Sequence, residues 1–159
     1  MPEFLEVMVD KFTFKVATDR WYTREGVWAQ PSPLTPLPAG EGIQRVRIGL
    51  SDFLQQRSGD IAFAEIKSVG TALAVGDEVA SIETIKVNVA LSSPVSGKVI
   101  EVNSEMDTAP EAINQDPYGA GWLAVIAATD WKAEQSQLLD AAAYFEVVKR
   151  EAEEEMKKQ

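Results

Sequence analysis

The chain of 159 residues contains no cysteine and no histidine. Without thiols it forms no disulfide and offers no thiolate to a metal, which excludes a disulfide-stapled secreted framework and a zinc ribbon. The side chains that most often act as a general base near neutral pH, or as an activated nucleophile, are missing with them. A catalyst built from this chain would depend on carboxylates, lysines, tyrosines or a borrowed group. Long apolar runs are absent too. Stretches such as Ile61 to Ala64 and Leu123 to Ala128 are too short to cross a bilayer, and Met1-Pro2-Glu3-Phe4 lacks the basic region and apolar stretch of a secretory signal. The expectation is a cytoplasmic protein with no membrane partner.

Positive charge is in short supply. Fifteen Lys and Arg face 25 Asp and Glu, a formal net charge of −10, which opposes nucleic acid and anionic membrane surfaces and favours a basic docking partner. With 45% hydrophobic and 25% charged residues, the chain has the material for one core and hence one domain, 1–159.

Phe12 to Val16 alternate apolar and polar residues and read as a strand, with Gly26-Val27-Trp28-Ala29 as the expected start of its antiparallel partner. Residues 30–42, QPSPLTPLPAGEG, carry four prolines and read as an exposed loop. Arg45 to Leu50 reads as a further strand, and Ser51 as the N-cap of a short helix through Asp52, Phe53, Leu54 and Gln55 that Gly59 ends. Up to Ile126 follow short β segments, IAFAEI, EVASIETI, VNVALSS, KVIEVN and WLAVIA, separated by glycine and proline. That is the pattern of a small sandwich or flattened barrel, with a helical turn expected at Ala109 to Ile113. A loose likeness between 59–84 and 97–126 suggests two interleaved halves of a sheet. Residues 140–158 form the clearest helix: Asp140 can cap it, and Tyr144, Phe145, Val148, Ala152 and Met156 make a stripe expected to pack on the barrel. Glu151 to Glu155 reads as a solvated face.

Ile82-Glu-Thr-Ile-Lys86-Val-Asn-Val-Ala-Leu91 contains two β-like runs without glycine or proline and a lysine between them. Val87, Val89 and Leu91 alternate with smaller or polar residues, so one face suits burial. A turn at Lys86 would project its amine beyond the sheet. An exposed strand lysine ordinarily only keeps a surface wet, and Glu83 by itself reads equally as a surface acid.

The surroundings give Lys86 its meaning. Gly49-Leu-Ser-Asp-Phe53, Gly59-Asp-Ile61, Glu65, Val69-Gly-Thr71, Gly76-Asp-Glu78, Glu83-Thr-Ile-Lys86, Ser93-Pro-Val-Ser-Gly-Lys-Val99 and Asn114-Gln-Asp-Pro-Tyr-Gly-Ala-Gly-Trp-Leu123 stand in order at compatible spacing. In these the chain resembles the lipoyl-carrier family over roughly residues 20–150, above all the glycine-cleavage H protein. The resemblance implies a mainly β fold: a biotinyl/lipoyl-type hammerhead flattened barrel with short helices and a C-terminal α-helix. It implies that Lys86 carries lipoate through an amide bond, that Glu83 is read by the lipoylating enzyme, and that turns around Gly70 and Gly97 hold the hairpin. The glycines have a plainer reading as turn formers. The chain would then be no enzyme but a covalent carrier, served by lipoate ligase or another lipoylating enzyme. A lipoyl dithiolane supplies thiol redox chemistry to a chain that has none.

Departures from the usual glycine-cleavage pattern bear on the pathway. Tyr22-Thr-Arg-Glu-Gly-Val-Trp28 stands where that family has a His-Glu-Trp, and Val87-Asn88 follows the lysine in place of a small residue. These segments, with Leu50 to Asp60, look more like the lipoate-binding proteins of the bacterial heterodisulfide-reductase-like sulfur-oxidation system. That likeness implies that the arm shuttles sulfur or dithiol intermediates to a heterodisulfide-reductase-like complex; the alternative is an aminomethyl carrier for the glycine-cleavage enzymes. A biotinyl carrier would have methionines around the lysine where Ile85 and Val87 stand. An unmodified interaction module and a hydrolase using Asp107, Glu111 and Asp116 are the remaining rivals.

Overall fold

The computed structural model describes residues 3–32 and 43–157. The chain opens with an antiparallel hairpin, β1 (Phe4–Val9) and β2 (Phe12–Ala17), turned tightly at Asp10, which adopts a left-handed φ of 56°. The short β3 (Trp21–Tyr22), β4 (Val27–Pro31) and β5 (Gln44–Leu50) come next. Helix α1 (Asp52–Ser58) leads to β6 (Ile61–Ile66), β7 (Ala72–Leu73), β8 (Glu78–Thr84), β9 (Asn88–Ser92) and β10 (Gly97–Val102). After a 3-10 turn at Ser104–Asp107 come α2 (Ala112–Gln115), β11 (Ala124–Ala128), α3 (Trp131–Gln135) and α4 (Ala141–Lys157).

Six strands form one antiparallel sheet in the order β3-β4-β5-β11-β10-β7, and β6-β8-β9 form another. Alternation along the strands sends Val46, Ile48 and Leu50 from the first sheet, and Ile61, Ile82 and Leu91 from the second, into one apolar core. The fold is thus mainly β, barrel-like, with short helices and a terminal helix, as expected. The two similar stretches do not interleave in a single sheet. β6 pairs with β8 in the small sheet and β10 with β11 in the large one, so each half supplies an antiparallel pair to a different sheet.

Composition points to one core, yet a second lies outside this barrel. Val7, Phe14 and Val16 of the hairpin, Phe53 of α1, and Tyr144, Val148 and Ala152 of α4 bury one another together with Tyr22 and Trp28. Two expectations are corrected here. Phe12–Ala17 pairs with Phe4–Val9 rather than with the strand at 27–31, because the tight turn at Asp10 brings β1 alongside first; β4 pairs with β3 and β5. Helix α4 is capped by Asp140, whose carboxylate accepts the Ala143 N–H at 2.8 Å, and it buries the expected stripe mainly against β1 and β2 rather than on the barrel.

Smaller differences have local causes. Gln30 and Pro31 complete β4 instead of opening a loop: β3 ends opposite Ala29, so no strand on that flank asks Pro31 for an N–H. The rest of the proline-rich segment, 33–42, lies outside the described residues, as does Lys158. The helical turn expected at 109–113 divides into the 3-10 turn at 104–107 and α2 at 112–115. Glu151 and Glu155 reach Arg57 at 3.9 and 2.9 Å, leaving Glu153 and Glu154 as the solvated part of that run. No described helix is long and apolar enough to cross a membrane.

Candidate functional site

β8 and β9 form a hairpin whose closing pair is Thr84 and Val87: the Thr84 N–H donates to the Val87 carbonyl at 2.9 Å. Ile85 and Lys86 are the two loop residues between them. Two-residue hairpin loops usually require left-handed φ values supplied by glycine or asparagine, yet neither residue here has a positive φ. The Thr84 side chain makes up the difference. Its hydroxyl accepts the N–H groups of Lys86 at 3.2 Å and Val87 at 3.1 Å and donates to the Val87 carbonyl at 3.2 Å. A buried threonine therefore ties down the loop backbone while the Lys86 side chain stays exposed, with no ion-pair partner among the described residues. Sequence reasoning did not assign Thr84 this task. Its signal was the position two residues before the lysine, where a hydroxyl can form a local turn bond.

Below the loop the hairpin is anchored by Ile82 of β8, which faces Val89, and Leu91 of β9, which faces Ala80; Ile82 and Leu91 are each only 1% exposed. Burial falls off towards the tip: Leu91 is buried, Val89 partly so and Val87 exposed, so the alternating face seen in the sequence reaches the core only at its base. Glu83 lies on the outward face, exposed, opposite Asn88 on β9 and Phe63 on β6. Ile85 is 94% exposed and Phe63 67%, which leaves large apolar side chains in water beside an acid and a lysine.

The floor beside the loop is the junction of α1 and β6. Gly59 ends α1 with a φ of 91°, and Ser58, Gly59 and Asp60 form a small concavity with Thr84, Ile85 and Lys86. Asn114 straps this junction, accepting the Ile61 N–H at 2.9 Å and donating to the Gly59 carbonyl at 3.0 Å and to Gln55 Oε1 at 3.0 Å. The motif around Asn114 entered the family resemblance, but this fastening is visible only once α1 and α2 are side by side.

Gly70 and Gly97 lie beyond the opposite end of the hairpin from Lys86, where β7 pairs with β10. Gly70 turns the chain with a φ of 98°. Gly97 is required for close approach, since a Cβ there would collide with the Ala127 carbonyl. Both are structural, and neither touches the loop. The acids of the hydrolase reading are also apart from any cleft chemistry: Asp116 accepts the Ala120 N–H at 2.9 Å, and Asp107 and Glu111 are exposed. Among the described residues no group of His, Cys, Asp and Glu could hold a metal.

The Lys86 loop thus offers an accessible primary amine on a fastened backbone, in a chain with no thiol of its own. Those properties fit an amide-linked lipoyl group. The profile of the family described as "Glycine cleavage H-protein" matches residues 39–151. The chain is 37% identical over 142 residues to a probable glycine cleavage system H protein of Pyrococcus horikoshii, covering 89% of this chain and 98% of that one. It is 36% identical over 137 residues to a glycine cleavage system H protein of Thermus thermophilus, covering 86% and 98%. Among solved structures, a glycine cleavage system H protein from Mycobacterium marinum superposes with a TM-score of 0.66 at 33% identity, covering 80% of this chain and 94% of that one.

Proposed function

The chain belongs to the glycine cleavage H-protein family, and from that premise we propose that Lys86 is its lipoyl attachment site and Glu83 part of what the lipoylating enzyme reads. As an H-type protein the chain is a carrier without catalysis of its own. The observation that carries the site is the Lys86 loop, an exposed amine whose backbone is held by the buried Thr84. Lipoate bound there supplies a reversible disulfide and dithiol that the cysteine-free chain lacks. The residues around it have passive tasks. Thr84 fixes the origin of the arm, Ile82 and Leu91 keep the hairpin rigid, and Ile85 and Glu83 present an apolar and an acidic contact to the enzymes that modify or visit it. Tethering keeps the arm at high effective concentration in a docked partner, and a net charge of −10 steers such docking towards basic surfaces.

Relatives named for the glycine cleavage system support an aminomethyl group as the cargo, passed among glycine-cleavage enzymes in the cytoplasm. The histidine-free segment Tyr22 to Trp28 and the Val87-Asn88 pair favour a second reading, a sulfur or dithiol shuttle to a heterodisulfide-reductase-like complex. Trypsin digestion of protein from its native host tests the site: a peptide from Ser68 to Lys98, uncut at Lys86 and heavier by one lipoyl group, is the expected product. Clean cleavage at Lys86 would reject it. Mixing the lipoylated protein with the glycine-cleavage P protein, glycine and labelled bicarbonate separates the cargoes. Rapid carboxyl exchange supports glycine cleavage, and its absence with fully lipoylated protein supports the sulfur reading.

A further inference from the structure

β9 is an edge strand: it pairs with β8 on one side and closes the β6-β8-β9 sheet on the other. In an antiparallel ladder the backbone polar groups of alternate residues turn away from the paired strand. The Ser92 N–H fixes which residues these are, because it donates outward to the Glu25 carboxylate at 3.2 Å. Counting back by twos, Ala90 and Asn88 also direct their N–H and C=O groups away from β8. Both residues are exposed, and nothing among the described residues accepts either N–H. Natural edge strands are commonly shielded by a lysine or a proline, and Asn88-Val-Ala-Leu-Ser92 contains neither. The space beside this edge has the shape of a strand. A concavity of about 760 Å³ runs along Val87 to Ala90, with Leu54 of α1 and Val147 of α4 opposite, and another of about 420 Å³ continues past Ser92 to Pro94. Arg24 and Glu25 line both, so the two make one channel. Three of the six arginines in the sequence, Arg24, Arg57 and Arg150, line it, although the protein carries a net charge of −10. Its glutamates are engaged: Glu25 as above, Glu151 3.9 Å from Arg57, and Glu134 accepting the Ser96 N–H at 2.8 Å. Arg24 and Arg150 are exposed and have no ion-pair partner among the described residues.

We propose that the free edge of β9 is a docking site for an extended, acidic segment of a partner protein, which joins the β6-β8-β9 sheet as a further strand and sets its carboxylates on Arg24 and Arg150. The backbone carries one half of the recognition. Asn88 and Ala90, two residues apart, present the donors and acceptors that an added antiparallel strand pairs with. The side chains carry the other half. Guanidinium groups offer paired donors that match carboxylate oxygens, and the apolar side chains of the segment find Leu54 and Val147 across the channel. A second copy of this chain fits the edge poorly: Asn88 to Ser92 contains no acid, so β9 laid against β9 would bring the arginines of two copies together with no carboxylate between them. A basic segment would meet the same arginines with every glutamate of the channel already engaged. The site needs no group on Lys86, and it gives an acidic protein a local hold on an acidic partner.

The test is a titration of the full, unmodified chain with the peptide Ac-Glu-Val-Glu-Val-Glu-NH2, and with Ac-Lys-Val-Lys-Val-Lys-NH2 as its charge reversal, followed by amide NMR. The acidic peptide is expected to give saturable shifts centred on Asn88 and Ala90 and to slow hydrogen exchange at both amides; the basic peptide should do neither. The R24Q/R150Q variant changes two exposed side chains and should bind the acidic peptide roughly tenfold more weakly, the loss expected for two charge-assisted contacts. Ala90→Pro removes an outward N–H that no strand of the protein uses, so it should keep the β8–β9 ladder and weaken binding by about fivefold, the loss of one hydrogen bond. An acidic peptide N-methylated at its central residue removes a ladder donor from the other side, and its loss of affinity needs no folded variant. Four results would each overturn the proposal: binding of the basic peptide as tight as that of the acidic one, undiminished binding in R24Q/R150Q, shifts at Asn88 and Ala90 that grow with protein concentration in the absence of peptide, or no saturable shift at millimolar acidic peptide. The third would assign the edge to a second copy of the chain.

Discussion

At the scale of single residues, the loop that presents Lys86 depends on a hydroxyl rather than on a glycine. Replacing Thr84 by valine keeps the volume and the buried methyl contacts but removes the acceptor shared by the Lys86 and Val87 N–H groups. A lost hydrogen bond in a half-exposed turn costs about 1 kcal/mol, roughly fivefold in the local opening equilibrium. Amide exchange at Lys86 and Val87 should quicken by that factor in T84V, with lipoylation slowed and global stability little changed, whereas T84S should behave as the parent. Unchanged exchange rates would show that the loop is held by something else. Lys86 was legible in the sequence because its motif stands among many others in fixed order. Thr84 was not, because whether a threonine at such a place turns inwards depends on the turn type. That Arg24, Arg57 and Arg150 line one concavity was illegible for another reason: they are far apart in sequence, and only the packing of α4 and α1 beside the β8–β9 hairpin makes them neighbours.

Among elements, α4 and the β1–β2 hairpin form a unit of their own. Tyr144 stacks on Tyr22 with ring centroids 4.4 Å apart and 8° between planes, its hydroxyl lies 2.8 Å from Ser51 Oγ, and Val148 is fully buried beneath. A charge placed there has no partner and cannot be solvated without separating the helix from the hairpin. Val148→Asp should release residues 141–157 and 4–17 from protection against hydrogen exchange while the strands around Ile48, Ile82 and Ile126 keep theirs. Simultaneous loss of protection in all of them would mean that the two cores unfold as one. The helix itself was plain from its periodicity and its Asp140 cap. What covered its stripe was not, because periodicity records how much of a helix is buried and not against which element. Pattern alone does not pick out the partner of β2 for a related reason: two alternating segments near one another are equally good partners, and the left-handed Asp10 that decides between them has no strong signature.

The behaviour of the whole molecule with pH follows from what it lacks and from what it buries. With no histidine, no side chain with an ordinary pKa titrates between about pH 5 and 8, and stability should be level there. Burial pushes the Tyr118 phenol up to about 12, and burial likewise raises Tyr22 and Tyr144 above the ordinary 10.0. Folded-state values above the unfolded value mean that the native chain holds these protons more tightly. Their contribution is complete below pH 10 and is lost as pH rises towards the folded values. Titration should therefore show no tyrosinate absorbance until well past pH 10, followed by its appearance together with loss of the near-ultraviolet circular dichroism signal in one step. Gradual ionisation of Tyr22 and Tyr144 in folded protein would contradict the burial described.

The second core joins the first strand of the chain to its last helix, and this sets an order of events at the ribosome. Strands β3 to β11 contain most of the barrel's pairing and can associate as they emerge, but Val7, Phe14 and Phe53 are covered only by one another and by their near neighbours until α4 follows them out. A nascent chain therefore exposes a greasy ledge until α4 has been made, and that helix is what conceals it. Premature termination upstream of Ala141 would yield a barrel that is folded yet sticky, a form that quality-control proteases and chaperones would recognise before any lipoylating enzyme had use for it.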